Sequence, residues 1–283
     1  GGGLHPAITP DGRYVAYETN GESNFYGAGP GSSLILRRDM IASSTVLASV
    51  SDGEAVPVDS AVVTDAALSQ FPDIDASGQR IVFFSTATNL VSGDTNAKQD
   101  VFLRDIGAGT TTRLSVATEG TEATTANYAP TISNDGTKVT FMSGSRLASN
   151  DSNSSSDVYV RDTSAGTTTA VSVTTNGRTS GAVGVQDSVH PVISADGDHV
   201  MFWSLANDLV AGDSDINIDL FVRNLRTGVT TLAGTRADGT QARGHNHIYI
   251  GVAHQGGISA DGSVVAFASL SSGLVPGDTN GKY

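Results

Sequence analysis

The chain has 283 residues, with 29 Asp and Glu against 16 Lys and Arg and a net charge of −13, an acidic balance that excludes the basic footprint nucleic acid or an anionic membrane surface requires. Its length allows one large β domain or two ordinary ones, and no run approaches the roughly 18 apolar residues of a membrane span. The absence of cysteine excludes disulfides and thiolate metal sites.

In chain order, the first predicted element is a hairpin in "HPAITPDGRYVAY" (5–17). It recurs as "FPDIDASGQRIVFF" (71–84), "APTISNDGTKVTFM" (129–142), "HPVISADGDHVMFW" (190–203) and "QGGISADGSVVAFA" (255–268). The marker residues Ile8, Ile74, Ile132, Ile193 and Ile258 set a period of 58 to 66 residues. Seven positions on stands Val15, Ile81, Val139, Val200 or Val265, and two further on an aromatic, Tyr17, Phe83, Phe141, Phe202 or Phe267. That alternation marks a strand with one buried face, entered through an Asp-Gly or Ser-Gly turn.

Next come a third strand, "ILRRD" (35–39), "VFLRD" (101–105), "VYVRD" (158–162) and "LFVRN" (220–224), and a Thr-rich fourth. Four short strands per unit, without helical periodicity, predict an all-β fold. The architecture expected is a β-propeller of four-stranded antiparallel blades, four complete repeats plus the first half of a fifth. A four-stranded solenoid coil is the other architecture such a repeat allows. The units are placed at about residues 5–70, 71–128, 129–189, 190–254 and 255–283 of one propeller. Because "GGGL" offers no third or fourth strand to the last unit, the ring is expected to be completed by further sequence.

The pattern "IS-x-DG-x-x-V-x-F-x-S", then "NLV-x-GDTN-x-x-x-DVF-x-RD", then "TG-x-TT-x-x-SV" resembles the TolB-like β-propeller repeats, in the long-period version found in secreted and cell-surface proteins of bacteria. The resemblance runs from His5 through the whole chain. It implies a propeller and leaves the activity open, because such propellers include scaffolds, binding modules and some polysaccharide lyases. The first unit departs from it, with Leu34 where the next unit has Asp100.

In a four-stranded blade the short turns of this sequence fall at one end and the long connections at the other, so the elaborated loops share one rim. Within them an acidic pattern repeats: Asp94, Asn96, Asp100; Asp151, Asn153, Asp157; Asp213, Asp215, Asp219; and, in the fifth unit, Asp278 and Asn280. A Leu four residues earlier (Leu90, Leu147, Leu209, Leu274) suits a buried anchor. Closely spaced Asp and Asn oxygens suit Ca2+, which takes six to eight oxygen ligands. The same residues equally suit Asx turns, with Asp100 capping N–H groups at the strand start. Trp203, at the end of a second strand, is expected between blades.

Two readings of function remain beside a non-enzymatic module that binds protein or glycan on the long-loop face. One is a lyase-like polysaccharide-active enzyme using His245, His247, Tyr249 and His254 in the long loop of the fourth unit, where a His/Tyr acid–base pair beside a cation would serve β-elimination. The other is a building block of a surface layer or matrix, self-associating through open blade edges. The Gly-, Ser- and Thr-rich composition and the resemblance both point to an extracellular, cell-surface or periplasmic protein of a bacterium.

Overall fold

The computed structural model describes residues 3–19, 31–57, 68–179, 188–213, 217–236, 239, 241, 256–269, 274–275 and 277. These hold four antiparallel four-stranded sheets and one two-stranded sheet. The first is β1 (Gly3–Ile8), β2 (Tyr14–Thr19), β3 (Ile35–Asp39) and β4 (Ser44–Leu47). The second is β5 (Ser69–Ile74), β6 (Arg80–Ser85), β7 (Asp100–Asp105) and β8 (Thr110–Arg113). The third is β9 (Asn127–Ile132), β10 (Lys138–Ser143), β11 (Asp157–Asp162) and β12 (Thr167–Ala170). The fourth is β13 (Ser188–Ile193), β14 (His199–Ser204), β15 (Asp219–Asn224) and β16 (Val229–Leu232), and the fifth unit contributes β17 (Gly256–Ile258) and β18 (Val265–Phe267). Each sheet runs in sequence order, and the first strands neighbour one another, β1 with β5, β5 with β9, β9 with β13 and β13 with β17. Sheets that meet along their first strands are blades around an axis, and the solenoid alternative is set aside.

The turns carry the expected chemistry. Ser133, Ser194 and Ser259 donate to the turn acids Asp135, Asp196 and Asp261, whose carboxylates in turn accept the N–H two residues on. At the other hairpin, Asp39, Asp105, Asp162 and Asn224 accept N–H groups of their own turns, closing Asx turns.

One local feature is not read from the sequence pattern. The first four inner strands each hold a non-glycine residue at positive φ directly before a proline: His5 (45°), Phe71 (51°), Ala129 (52°) and His190 (52°). The register of each pair shifts at this point. Proline has no N–H for the ladder, so an extra residue is accommodated there as a bulge. At the first seam the bulge places the His5 ring 3.8 Å from that of Phe71, with His5 Nδ1 2.9 Å from the buried Glu18.

Apolar cores lie between blades. Tyr14, Ala16 and Ile35 of the first meet Ile74, Ile81, Phe83 and Phe102 of the second. Val82, Phe84, Val101 and Leu103 of the second meet Ile132, Val139, Phe141 and Tyr159 of the third. Val158 and Val160 meet Ile193, Val200, Phe202 and Phe221, and Met201, Trp203 and Leu220 meet Ile258, Val265 and Phe267. Trp203 is therefore inter-blade, in an edge-on contact with Phe267 at 5.9 Å. Among the described residues no helix is long and apolar enough to cross a membrane.

Candidate functional site

The acidic loops run from the second strand of each blade to the third; of the expected anchors Leu90, Leu147 and Leu209 are buried, and Leu274 of the fifth unit is half-buried. The last acid of each loop opens the third strand and is also buried, Asp100, Asp157 and Asp219. Asp100 is held by side-chain donors rather than by the strand's N–H groups. The first strand N–H instead goes to a serine on the exit of strand four, Val101 to Ser115 and Val158 to Ser172. That serine's own hydroxyl then donates to the acid, Ser115 to Asp100 at 2.5 Å and Ser172 to Asp157 at 2.6 Å. Burial without water leaves a carboxylate dependent on such donors, and a hydroxyl that accepts on one side can donate on the other.

In the second blade Asp100 also accepts from the amides of Asn96 (2.8 Å) and Asn127 (3.1 Å), the latter on the first strand of the next blade. Asn96 accepts the N–H of Lys98, and in the third blade Asp151 and Asn153 accept the N–H groups of Asn153 and Ser155, so Asx turns are present in both loops. Asp151 is held further by the Tyr159 hydroxyl at 2.5 Å and by Thr179 at 3.2 Å. In the fourth blade one amide, Gln241 Nε2, donates to both Asp213 and Asp219 at 2.9 Å. Asp215, Asp278, Asn280 and the set His245, His247, Tyr249 and His254 lie outside the described residues.

The structure adds residues that the acidic pattern alone does not mark. Glu122, Thr179 and Gln241 each stand 28 positions after the first Asp of their loop, and each is folded back by a turn to bridge the end of strand four. All three reach the acidic loop: Glu122 accepts the N–H and hydroxyl of Thr95, Thr179 bonds Asp151 and Ser152, and Gln241 bonds Asp213. The legible signal is the glycine two residues earlier, Gly120, Gly177 and Gly239, at φ of 90°, 79° and 80°. A residue that can enter the left-handed region is what returns the chain to its own loop.

Arg113 belongs to the second blade alone. Its Nη1 lies 2.7 Å from Glu122, 3.4 Å from Asp94 and 3.8 Å from Asp100, where the third and fourth blades have Ala170 and Leu232. Where the arginine is absent, so is the glutamate, replaced by Thr179 or Gln241. In the second blade three carboxylates, Asp94, Asp100 and Glu122, thus face the one guanidinium of Arg113. The Asp94 side chain is almost wholly buried, with the Arg113 guanidinium beside it. Burial raises the pKa of Asp94 against the pull of Arg113, and burial pushes that of Asp100 up to about 6 despite the bonds from Ser115 and Asn96. Glu122 is shifted down, because the Thr95 bonds and Arg113 together outweigh its burial. Burial and the bond to Asp151 push the Tyr159 hydroxyl up. Among the described residues no three acidic or histidine side chains form a preformed metal cage; in the second blade the guanidinium stands between the acids.

No family model matches the chain, and no curated protein does. Among solved structures it is similar to TolB from Acinetobacter baumannii, at 14% identity and a TM-score of 0.46, covering 85% of this chain and 45% of that one. It is also similar to a putative TolB from Agrobacterium tumefaciens, at 16% identity and 0.36, covering 80% and 78%. A third likeness is the β-propeller domain of the Trilobed protease from Pyrococcus furiosus, at 11% identity and 0.46, covering 83% and 57%. The chain thus spans less than half the length of the first of these. These are likenesses of fold alone. The blade sheets and the inter-blade cores make this chain a β-propeller, whose repeat resembles in sequence those of TolB-like propellers.

Proposed function

We propose that this propeller is a non-enzymatic binding module that presents its long-loop rim to a protein or glycan ligand, outside the cytoplasm of a bacterium, with Ca2+ holding the acidic loops of the second to fourth blades. The observation that carries the reading is the repeated bracket: three loops, each tied to the exit of its own fourth strand, each with a buried carboxylate where the third strand begins. A rim held in this way is pre-organised, so a ligand that meets it costs little ordering. Calcium suits the donor set, which is made of carboxylate, amide and hydroxyl oxygens, with the buried side chain of Asp94 held in the second blade only by its ion pair with Arg113. Few carboxylates per loop suggest weak affinity, about 10⁻⁴–10⁻³ M as in extracellular modules.

The test is ligand capture on glycan arrays and against purified envelope proteins, with calcium and with EDTA, by wild type and by Asp94→Ala/Asp157→Ala/Asp219→Ala. Capture lost in both EDTA and the triple variant supports the reading. Capture indifferent to both moves the ligand off this rim. Cleavage of acidic polysaccharides that disappears in His247→Ala makes the protein a lyase instead.

A further inference from the structure

The turn that carries Thr179 back to the third blade's acidic loop is built on Asn176, Gly177 and Arg178, all three exposed. Its frame is backbone: the Thr174 N–H donates to the Arg178 carbonyl at 2.8 Å and the Gly177 N–H to the Thr174 carbonyl at 2.9 Å. The Asn176 side chain folds over its own peptide. Its Oδ1 accepts the Arg178 N–H at 3.3 Å and the Thr174 hydroxyl at 2.6 Å; that hydroxyl also lies 3.1 Å from the Arg178 carbonyl. An N–H must meet an acceptor, which assigns the oxygen of the amide to this position. The ring closed by the Arg178 bond contains both the amide carbon Cγ of Asn176 and the backbone nitrogen of Gly177.

Those two atoms react with each other when nothing shields the nitrogen. Asn96, Asn153 and Asn224 close the same kind of Asx turn, but Ala97, Ser154 and Leu225 follow them, and their side chains crowd that nitrogen. Gly177 has no side chain, and a β-carbon on it would meet nothing within 4 Å, so no neighbour covers the site. The two donors on Oδ1 stand where negative charge develops as Cγ becomes tetrahedral. In the second and fourth blades the residue before this turn glycine is already an acid, Glu119 or Asp238.

We infer that Asn176 is a site of spontaneous deamidation, which water completes without an enzyme. The Gly177 nitrogen gives its proton to solvent and attacks Cγ; the Cγ–Nδ2 bond breaks and ammonia leaves, closing a five-membered succinimide. Water then adds to one of the two ring carbonyls and opens the ring, to aspartate or to isoaspartate. In sum, an amide and a water become a carboxylate and an ammonium ion, with no change of oxidation state. Holding the two atoms in one ring supplies proximity, and the contact that must open first is the Gly177 bond to Thr174. Aspartate gives the third blade the acid its neighbours encode. Isoaspartate adds one carbon to the backbone of a turn whose far end is fixed by Thr179, bonded to Asp151 at 3.2 Å and to the Ser152 N–H at 3.3 Å. That product therefore loosens the bracket on the third acidic loop. The inference is independent of the calcium and of the ligand proposed above.

The experiment ages the full chain at mildly alkaline pH for several weeks, folded and in urea, and reads tryptic peptides by mass against an unaged sample. Peptide 162–178 holds one asparagine, Asn176, and peptide 147–161 holds Asn150 and Asn153, neither followed by glycine. In the folded chain the mass gain of about one dalton, NH2 exchanged for OH, is expected at least about tenfold faster in 162–178 than in 147–161. It should split into two products of equal mass, and the Ser152 amide should exchange faster in the aged chain. Thr174→Ala is expected to slow the reaction about tenfold, and Thr174→Ser to leave it unchanged. Equal rates in the two peptides overturn the inference. So does conversion confined to the chain in urea, which shows that the Gly177 bond to Thr174 protects the site. Thr174→Ala that folds and reacts as fast as wild type gives the chemistry to the dipeptide alone and overturns it as a property of this turn. Where Thr174→Ala does not fold, the comparison of folded and unfolded wild type decides.

Discussion

The Tyr14 ring lies across Gly78, so close that a β-carbon on that glycine would sit 2.2 Å from the ring. Arg37 of the same blade donates to the Gly78 carbonyl at 2.7 Å. The arrangement repeats along the ring. Arg80 covers Gly136 and bonds its carbonyl, Lys138 bonds the carbonyl of Gly197, and His199 covers Gly262. Each glycine between a blade's first and second strands is thus a socket for the blade before it, and among these Gly12, with nothing near it, is the exception.

Gly78→Ala and Gly12→Ala separate the two demands on these glycines. Both residues sit at positive φ, 70° and 73°, so both substitutions carry the left-handed penalty of about 1 kcal/mol. Only Gly78→Ala also forces Tyr14 aside, and its total cost is expected at about 2–4 kcal/mol. Urea unfolding of the two variants checks this, and equal costs would mean the socket contributes nothing to stability.

Arg113 and Glu122 are expected to behave as a unit. Arg113→Ala leaves Asp94, Asp100 and Glu122 without their cation and costs about 3 kcal/mol, the usual penalty for breaking a buried pair. Arg113→Ala/Glu122→Thr copies the third blade, with its Ala170 and Thr179, and recovers at least about half of that loss. Additive costs in a double-mutant cycle from denaturant melts would break the claim that Arg113 and Glu122 act as a unit.

Stability is expected to fall as pH rises from 4 to 6. Burial raises the carboxyls of Asp100 and Asp73 from 3.8 to about 6, in Asp73 against two N–H bonds from Ile132 and Ile74 that pull it down. A folded pKa above the unfolded one means that the fold holds a proton the unfolded chain has released, so ionisation penalises the native state. The penalty is absent below about pH 4 and complete above about pH 6, worth at most about 3 kcal/mol for Asp100 and less for Asp73, which keeps some solvent contact. Below pH 4 the sign reverses for Asp39, held at about 2 by Arg13 and by its turn N–H groups, whose contribution disappears as it is protonated. Melting temperatures at intervals from pH 3 to 8 test the shape, and Asp73→Asn/Asp100→Asn should flatten the descending limb.

Calcium in the acidic loops predicts a rise in melting temperature at millimolar Ca2+ relative to EDTA, because a ligand of the native state must raise apparent stability. The rise should disappear in Asp94→Ala/Asp157→Ala/Asp219→Ala. It should also grow with pH between 4 and 6, since the ion binds Asp100 only when that residue is ionised. Scanning calorimetry decides it; no shift at saturating calcium would leave the loops as hydrogen-bonded brackets.

The strands, their order and the blade were legible in the sequence, because a half-buried strand writes its burial into every second residue and a tight turn into its Asp-Gly. The alternation of Ile81, Val82, Phe83 and Phe84 marks a strand, and the position of Leu90 marks an anchor, from the sequence alone. The acidic loops were legible as a pattern, but their partners were not. Glu122, Thr179 and Gln241 differ in charge and shape and stand 28 residues after the first Asp of the loop they meet, so no single residue type announces them. The socket at Gly78 was hidden for a similar reason: a turn glycine accounts for itself locally, and only the neighbouring blade shows the second constraint. What lies within one strand or turn is set by backbone sterics and alternation, which a single chain segment carries. What lies between blades depends on which side chains the ring brings face to face, and only tertiary structure decides that.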